Sequence, residues 1–213
     1  MILLTGFEPF GGQSTNPSWP AARQAARALR AKGIEAIAVE LPCVFGESQA
    51  ALYAAVDEYE PDVVLCVGQA SGRSAVSLER VAINCDDARI ADNRGNSPVD
   101  SPVVNGGPTA YFSSLPIKAA LGSVKQAGIA VEISQTAGTF VCNHIFYSLM
   151  HLLAARDGVR GGFIHIPSDP GHVAAGSTVP TMTVDMASDA LVIIALTTLG
   201  TTVDVRISAG ATH

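Results

Sequence analysis

Val63-Val-Leu-Cys-Val67 is an unbroken apolar run, with Pro61-Asp62 before it and Gly68-Gln-Ala-Ser-Gly-Arg73 after it. Such a run has no polar face, as expected of a central parallel strand covered by helices on both sides. Working back from it, Glu47 to Tyr59 reads as a helix and Ile34 to Leu41 as a strand. Asn16-Pro17-Ser18 opens an earlier helix through Trp19, Ala22, Ala25, Ala26 and Leu29 to Gly33, and Met1 to Leu4 reads as a short buried strand. Working forward, Val76 and Leu78, then Val81 and Ile83, alternate with a parity slip at Glu79-Arg80, which predicts a bulge or twist there. Asn84 to Pro108 is polar and irregular, with room for a hairpin, and so long a loop is a functional candidate. A helix over Pro116 to Ala127, a strand over Ile129 to Ser134, a strand over Gly162 to Pro167 and an apolar helix over Pro180 to Leu199 complete the chain. The alternation predicts an α/β fold: one domain over residues 1–213, a three-layer α/β/α sandwich around a mostly parallel twisted sheet.

Composition narrows the function. The hydrophobic share is 48%, the charged share 15% and the net charge −6, with no Lys/Arg cluster, so nucleic acid is not an expected partner. The N-terminus lacks the basic region of a signal peptide, and Ala190 to Leu196 is too short to span a bilayer. The four cysteines, at positions 43, 66, 85 and 142, stand apart without a C-x-x-C, which suggests neither a metal site nor disulfides. A cytoplasmic protein with free thiols, bound to no membrane, is the expectation.

One thiol stands out. Thr136-Ala-Gly-Thr-Phe-Val-Cys-Asn-His144 places Cys142 where a helix begins, with Thr139 as N-cap and apolar residues recurring at helical spacing as far as Gly158. A thiol in the first turn faces the positive end of the helix dipole, which favours the thiolate nucleophile. A cysteine on an apolar helix face is otherwise a small buried hydrophobe, so partners must support the reading. Of the five histidines, His144 lies about 200° around the helix from Cys142, and His151 shares its outward face, so both are expected in solvent. His213 is terminal, and His172 sits in a Gly/Pro loop. His165 ends an apolar strand before Pro167, at the sheet edge where the Cys142 helix starts. Glu79, at the parity slip in an apolar strand, is the preferred orienting carboxylate, with Arg80 as a charge partner and Asp86, Asp87 and Asp92 as alternatives. Thr5-Gly-Phe-Glu-Pro-Phe-Gly-Gly12 lacks phosphate-loop spacing, and its two rings either present themselves to a ligand or plug the core. Gly72-Arg73-Ser74 is a weak anion-site candidate, as a phosphorolytic enzyme would need. A silent binding protein is the other rival.

Four segments carry a family resemblance in order along nearly the whole chain. They are Thr5 to Gly12 with Asn16-Pro-Ser-Trp19, Glu79-Arg-Val-Ala-Ile-Asn84 with Asp87 to Asn93, Thr136 to Asn143, and Gly161 to Pro167. Together they resemble pyroglutamyl-peptidase I (pyrrolidone-carboxylate peptidase), a family of cytosolic cysteine peptidases. The resemblance implies Cys142 as nucleophile, His165 as general base and Glu79 as its orienting carboxylate. It also implies a lactam pocket lined by Phe7, Phe10 and Phe140, with Asn16 holding the pocket loop, backbone at Gln69 and Val141 bonding the ring, and Arg89 assisting at the oxyanion. Implied too are substrates with an N-terminal 5-oxoproline, no metal or cofactor, and a homo-oligomer of two or four copies. The chain departs from the family pattern at Ser71, Gln135 and Ser168-Asp-Pro-Gly-His172.

Overall fold

The computed structural model describes residues 1–174 and 176–210. In chain order the elements are β1 (Ile2–Phe7), α1 (Ser18–Ala31), β2 (Ala36–Leu41), α2 (Glu47–Tyr59), β3 (Val63–Gln69), β4 (Val76–Glu79), β5 (Val81–Ile83), β6 (Ala110–Phe112), α3 (Ile117–Gln126), β7 (Val131–Ser134), α4 (Val141–Leu153), β8 (Arg160–Ile166) and α5 (Val184–Gly200). Six strands form one sheet in the order β2-β1-β3-β8-β4-β7. The strand read from Val63 lies inside it, between β1 and β8, and is buried along its whole length.

Strand periodicity splits this apolar run between two cores. Val63, Leu65 and Val67 join α1, α3 and α5 on one face, while Val64 and Cys66 join α2 and α4 on the other. The same rule places the polar side chains of the neighbouring strands. Val76, Leu78, Ile164 and Ile166 point to the α1/α3/α5 face, so Glu79 and His165 point to the α4 face. Pairing is parallel except between β4 and β8, so four strands run one way and β4 and β7 the other.

The parity slip at Glu79-Arg80 is a change of sheet. β4 ends at Glu79, the Arg80 N–H donates to the Ser134 carbonyl, and the chain resumes as β5 in a two-stranded antiparallel ribbon with β6. The 84–108 segment therefore spans this hairpin, held partly by an isolated bridge between Asp86 and Ser101. The ribbon closes over the start of α4, because Asn143 accepts from the Ile83 N–H at 3.0 Å and donates to the Ile83 and Cys85 carbonyls.

Helix α4 starts and stops differently from its sequence pattern. Phe140 occupies the N-cap position without a side-chain bond, and the Thr139 hydroxyl donates instead to the Asp87 carbonyl at 2.8 Å. The helix ends at Leu153 rather than near Gly158, since β8 begins at Arg160. Among the described residues no helix is long and apolar enough to cross a membrane.

Candidate active site

Cys142 sits in the first turn of α4, where the first intrahelical bond runs from the His144 N–H to the Phe140 carbonyl. The N–H groups of Val141, Cys142 and Asn143 precede that bond and are free for a ligand's oxygen. Gly68 of β3 makes room for the sulfur: a Cβ there would lie 2.9 Å from Cys142 Sγ and 2.8 Å from the Phe163 ring. The nucleophile candidate thus rests directly on the central strand.

His165 is 3% exposed and Glu79 fully buried. His165 Nδ1 pairs with Glu79 Oε1 at 2.7 Å. With the proton on Nδ1, Nε2 carries a lone pair, and His165 lines the same cleft as Cys142. That cleft holds about 650 Å³ and is also bordered by Phe10, Gln69, Arg89 and Phe140. The three side chains come from a helix start and two sheet strands far apart in sequence, and the sheet brings them to one face.

The electrostatics correct one expectation. Burial pushes the Cys142 thiol well above its ordinary range, and the nearby Cys43 and Glu79 push the same way, against Arg73. A helix start offers a thiolate roughly 1 kcal/mol, less than one pKa unit, whereas burial of a charge costs several. The thiol therefore rests protonated and needs a base. Burial also holds the His165 imidazole below its ordinary value, although Glu79 pulls upward. A neutral imidazole and a protonated thiol thus line one cleft.

Glu79 does not pair with Arg80, which donates to the Ala209 carbonyl. Its charge partner is Arg73, whose Nη1 donates to Glu79 Oε1 at 2.6 Å while Nη2 donates to the Thr136 carbonyl at 2.9 Å. The Gly72-Arg73-Ser74 segment is accordingly no open anion site, because its guanidinium is engaged inward. The alternative carboxylates serve elsewhere. Asp86 pairs with His144 at 2.8 Å, and Asp92 accepts from the N–H groups of Phe45, Arg94 and Asn96.

Two other histidines also depart from expectation. His144 is buried rather than in solvent, held by Asp86 and by the Gly46 N–H, which donates to its Nε2 at 3.2 Å. His151 is half-buried against the Tyr111 hydroxyl. His172 meets Thr15 across a surface groove, away from Cys142, and His213 lies outside the described residues.

The ring-bearing loop lies beside the thiol. Phe7, Phe10, Asn16, Gln69, Phe140 and Val141 border a narrow recess that Cys43 and Cys142 also line. The Phe10 and Phe140 rings are tilted at 38° with centroids 6.3 Å apart, and Phe45 packs edge-on against Phe140 at 5.4 Å. Phe7 is buried against Phe163, so of the two loop rings one is mostly core and one lines the opening. Asn16 ties the loop at both ends, donating to the Glu8 carbonyl and accepting from the Ser18 N–H and hydroxyl. Gln69 Nε2 donates to Ser168 at 3.0 Å, so the divergent 168–172 segment reaches the recess through one buried hydroxyl. Arg89 is exposed on the cleft rim.

Sequence reasoning missed Asn143 as the tie to the β5–β6 ribbon, Cys43 in the recess, and the half-exposed Ile90 in the cleft. It also missed the Arg73 bond to Glu79. None of these had a local signal, since each acquires its role through a contact distant in sequence.

Known proteins resemble this chain along most of its length. The pyroglutamyl peptidase family model matches residues 1–200. A curated pyrrolidone-carboxylate peptidase of Escherichia fergusonii is 52% identical, covering 100% of this chain and 99% of that protein. One of Klebsiella pneumoniae is 51% identical over the same shares. The crystal structure of pyroglutamyl peptidase I from Bacillus amyloliquefaciens is 43% identical with a TM-score of 0.89, covering 96% of this chain and 98% of that one. A pyrrolidone carboxyl peptidase variant from Pyrococcus furiosus is 37% identical with a TM-score of 0.87, covering 95% of this chain and 99% of that one. The sequence, the sheet order and the cleft thus lead to one assignment: the chain belongs to the pyroglutamyl peptidase family.

Proposed function

We propose that this cysteine peptidase removes an N-terminal 5-oxoproline residue from peptides with Cys142 as nucleophile, His165 as general base and Glu79 as the carboxylate that orients it. The observation that carries the site assignment is the 2.7 Å His165–Glu79 bond on the wall of the cleft that holds Cys142. The Nε2 atom of His165 takes the thiol proton as Sγ attacks the pyroglutamyl carbonyl. The N–H groups at the start of α4, with Arg89 on the rim, receive the developing oxyanion. The imidazolium then protonates the leaving amine as the C–N bond breaks, leaving a thioester. Water, deprotonated by the same imidazole, hydrolyses that thioester and restores the thiol.

The chemistry of the recess lining suits the substrate. A lactam is flat, small and neutral, with one N–H and one C=O. Rings such as Phe10 and Phe140 suit its body, and backbone at Gln69 and Val141 suits its two polar edges. An N-terminal glutamine would bring an ammonium among rings without a counter-ion, which is costly. Operation in the cytoplasm as a homo-oligomer of two or four copies belongs to the same proposal. Exposed Met186 and Leu199 on α5 support association, and light scattering of the purified protein measures it.

The decisive experiment is release of a fluorogenic amine from a pyroglutamyl amide, with a prolyl amide as control. Cys142→Ala is expected to abolish release while leaving the fold intact by circular dichroism. Retained turnover would remove Cys142 from the mechanism.

A further inference from the structure

Arg73 lies on the loop between β3 and β4, and its two guanidinium nitrogens reach different segments. Nη1 donates at 2.6 Å to Glu79 Oε1, the same oxygen that pairs with His165 Nδ1. Nη2 donates at 2.9 Å to the carbonyl of Thr136, the residue that opens the run leading to Cys142. One side chain therefore touches the carboxylate behind the base and the segment that delivers the thiol. We propose that Arg73 is a positioning residue for the reaction, fixing Glu79 against His165 and anchoring the run into α4 through the two arms of its fork. The inference rests on the assignment of Cys142, His165 and Glu79 given above.

Charge balance is the first reason. Glu79 is fully buried, and a buried carboxylate without a counter-charge is strongly disfavoured. If His165 were its sole partner, the carboxylate would hold a proton on the imidazole, and an imidazolium cannot accept the thiol's proton. Arg73 supplies a positive charge that does not dissociate, which balances the Glu79 carboxylate and opposes a proton on His165. The same charge opposes the rise of the Cys142 thiol. Two further charged side chains, Asp87 and Arg89 of the 84–108 segment, line the same cleft as His165.

Geometry is the second reason. The Thr136 carbonyl belongs to a turn that is otherwise held locally, by Ser134 and by the Thr136 side chain itself. The Arg73 arm joins that turn to the strand carrying Glu79. A lysine offers a point charge to one of these acceptors, not a fork to both.

The test uses the full-length enzyme and the variants Arg73→Met and Arg73→Lys. Two readouts are taken: kcat and KM on a pyroglutamyl amide across pH, and the pH profile of Cys142 alkylation by iodoacetamide. For Arg73→Met we expect kcat to fall about 100-fold and KM to stay within about threefold. Its acid limb in both profiles should move up by about one pH unit, as His165 becomes easier to protonate. Arg73→Lys keeps the charge and loses one arm, so the acid limb stays in place while kcat falls about tenfold. An Arg73→Met enzyme that melts earlier but keeps its kcat and its acid limb would overturn the proposal, leaving Arg73 a brace. If the methionine variant does not fold, an Arg73→Lys enzyme with unchanged kcat overturns it equally. Alkylation reads the thiol and imidazole without turnover, so an inert peptidase assay would fault the functional reading, whereas an unmoved alkylation limb faults this one.

Discussion

Two buried histidine–carboxylate pairs lie on the same side of the sheet, and only one faces the cleft. His165 pairs with Glu79 at 2.7 Å and His144 with Asp86 at 2.8 Å, each through Nδ1. The difference lies at the far nitrogen. His144 Nε2 accepts from the Gly46 N–H, which occupies its lone pair and pins the 42–46 loop against α4. His165 stands on the cleft wall with Cys142. A carboxylate behind an imidazole thus marks an ordered histidine, and what its other nitrogen meets decides whether it can move a proton.

Replacing each carboxylate separates the two pairs by the largest margin. Glu79→Gln keeps the shape but loses the charge that supports an imidazolium, and kcat is expected to fall about 1,000-fold. Asp86→Asn is expected to change kcat by less than about threefold and to register in thermal melting instead. Steady-state kinetics beside a melting curve measures both. Comparable kcat losses in the two variants would erase the distinction drawn here.

Next in size is Gly68→Ala, which removes a member of neither pair and presses on the sulfur and the Phe163 ring. A methyl group 2.9 Å from Sγ must displace the thiol or the Phe163 ring. A displacement near 1 Å is expected to lower kcat about 100-fold or somewhat less, with KM little altered. Unchanged turnover would mean that the sulfur is not held against β3.

The smallest effect sharpens the contrast through pH. Burial holds His165 below its ordinary value, so kcat/KM is expected to fall as pH drops through a midpoint under about 6.5. The same depression sets the sign for stability: protons bind the unfolded chain more readily, so this contribution is whole above about 6.5 and is lost as pH falls through the folded value. His144→Gln is expected to keep that acid limb in place and kcat within about twofold, while losing roughly 1–3 kcal/mol of stability. A shifted limb in His144→Gln would show that the two pairs are coupled.

Much of this was legible in the sequence, for reasons that also explain the errors. The Val63–Val67 run, the helix spacing after Val141 and the strand before Pro167 are local patterns, and the period of a strand places His165 and Glu79 on the face of α4. His144 was misread because a helical wheel assumes that the side opposite the apolar stripe faces water. Here α4 is buried from Asn143 to Met150, because the β5–β6 ribbon and the loop at Phe45 cover that side. The parity slip was visible, but its meaning as an exit from the sheet depends on β6, some thirty residues later. Arg80 was the obvious partner for Glu79 by adjacency. In a strand, however, neighbouring side chains point to opposite faces, and the partner came from the preceding loop.

The reversed strand β4 has a consequence for how this machinery is assembled. Ser77 and His165 are direct antiparallel neighbours, so Glu79 stands two residues along β4 from the residue opposite His165. Their spacing is inherited from the pairing of β4 with β8. The sulfur is carried by a helix packed on that sheet, so its place relative to the strand-borne pair depends on how α4 is seated against β3.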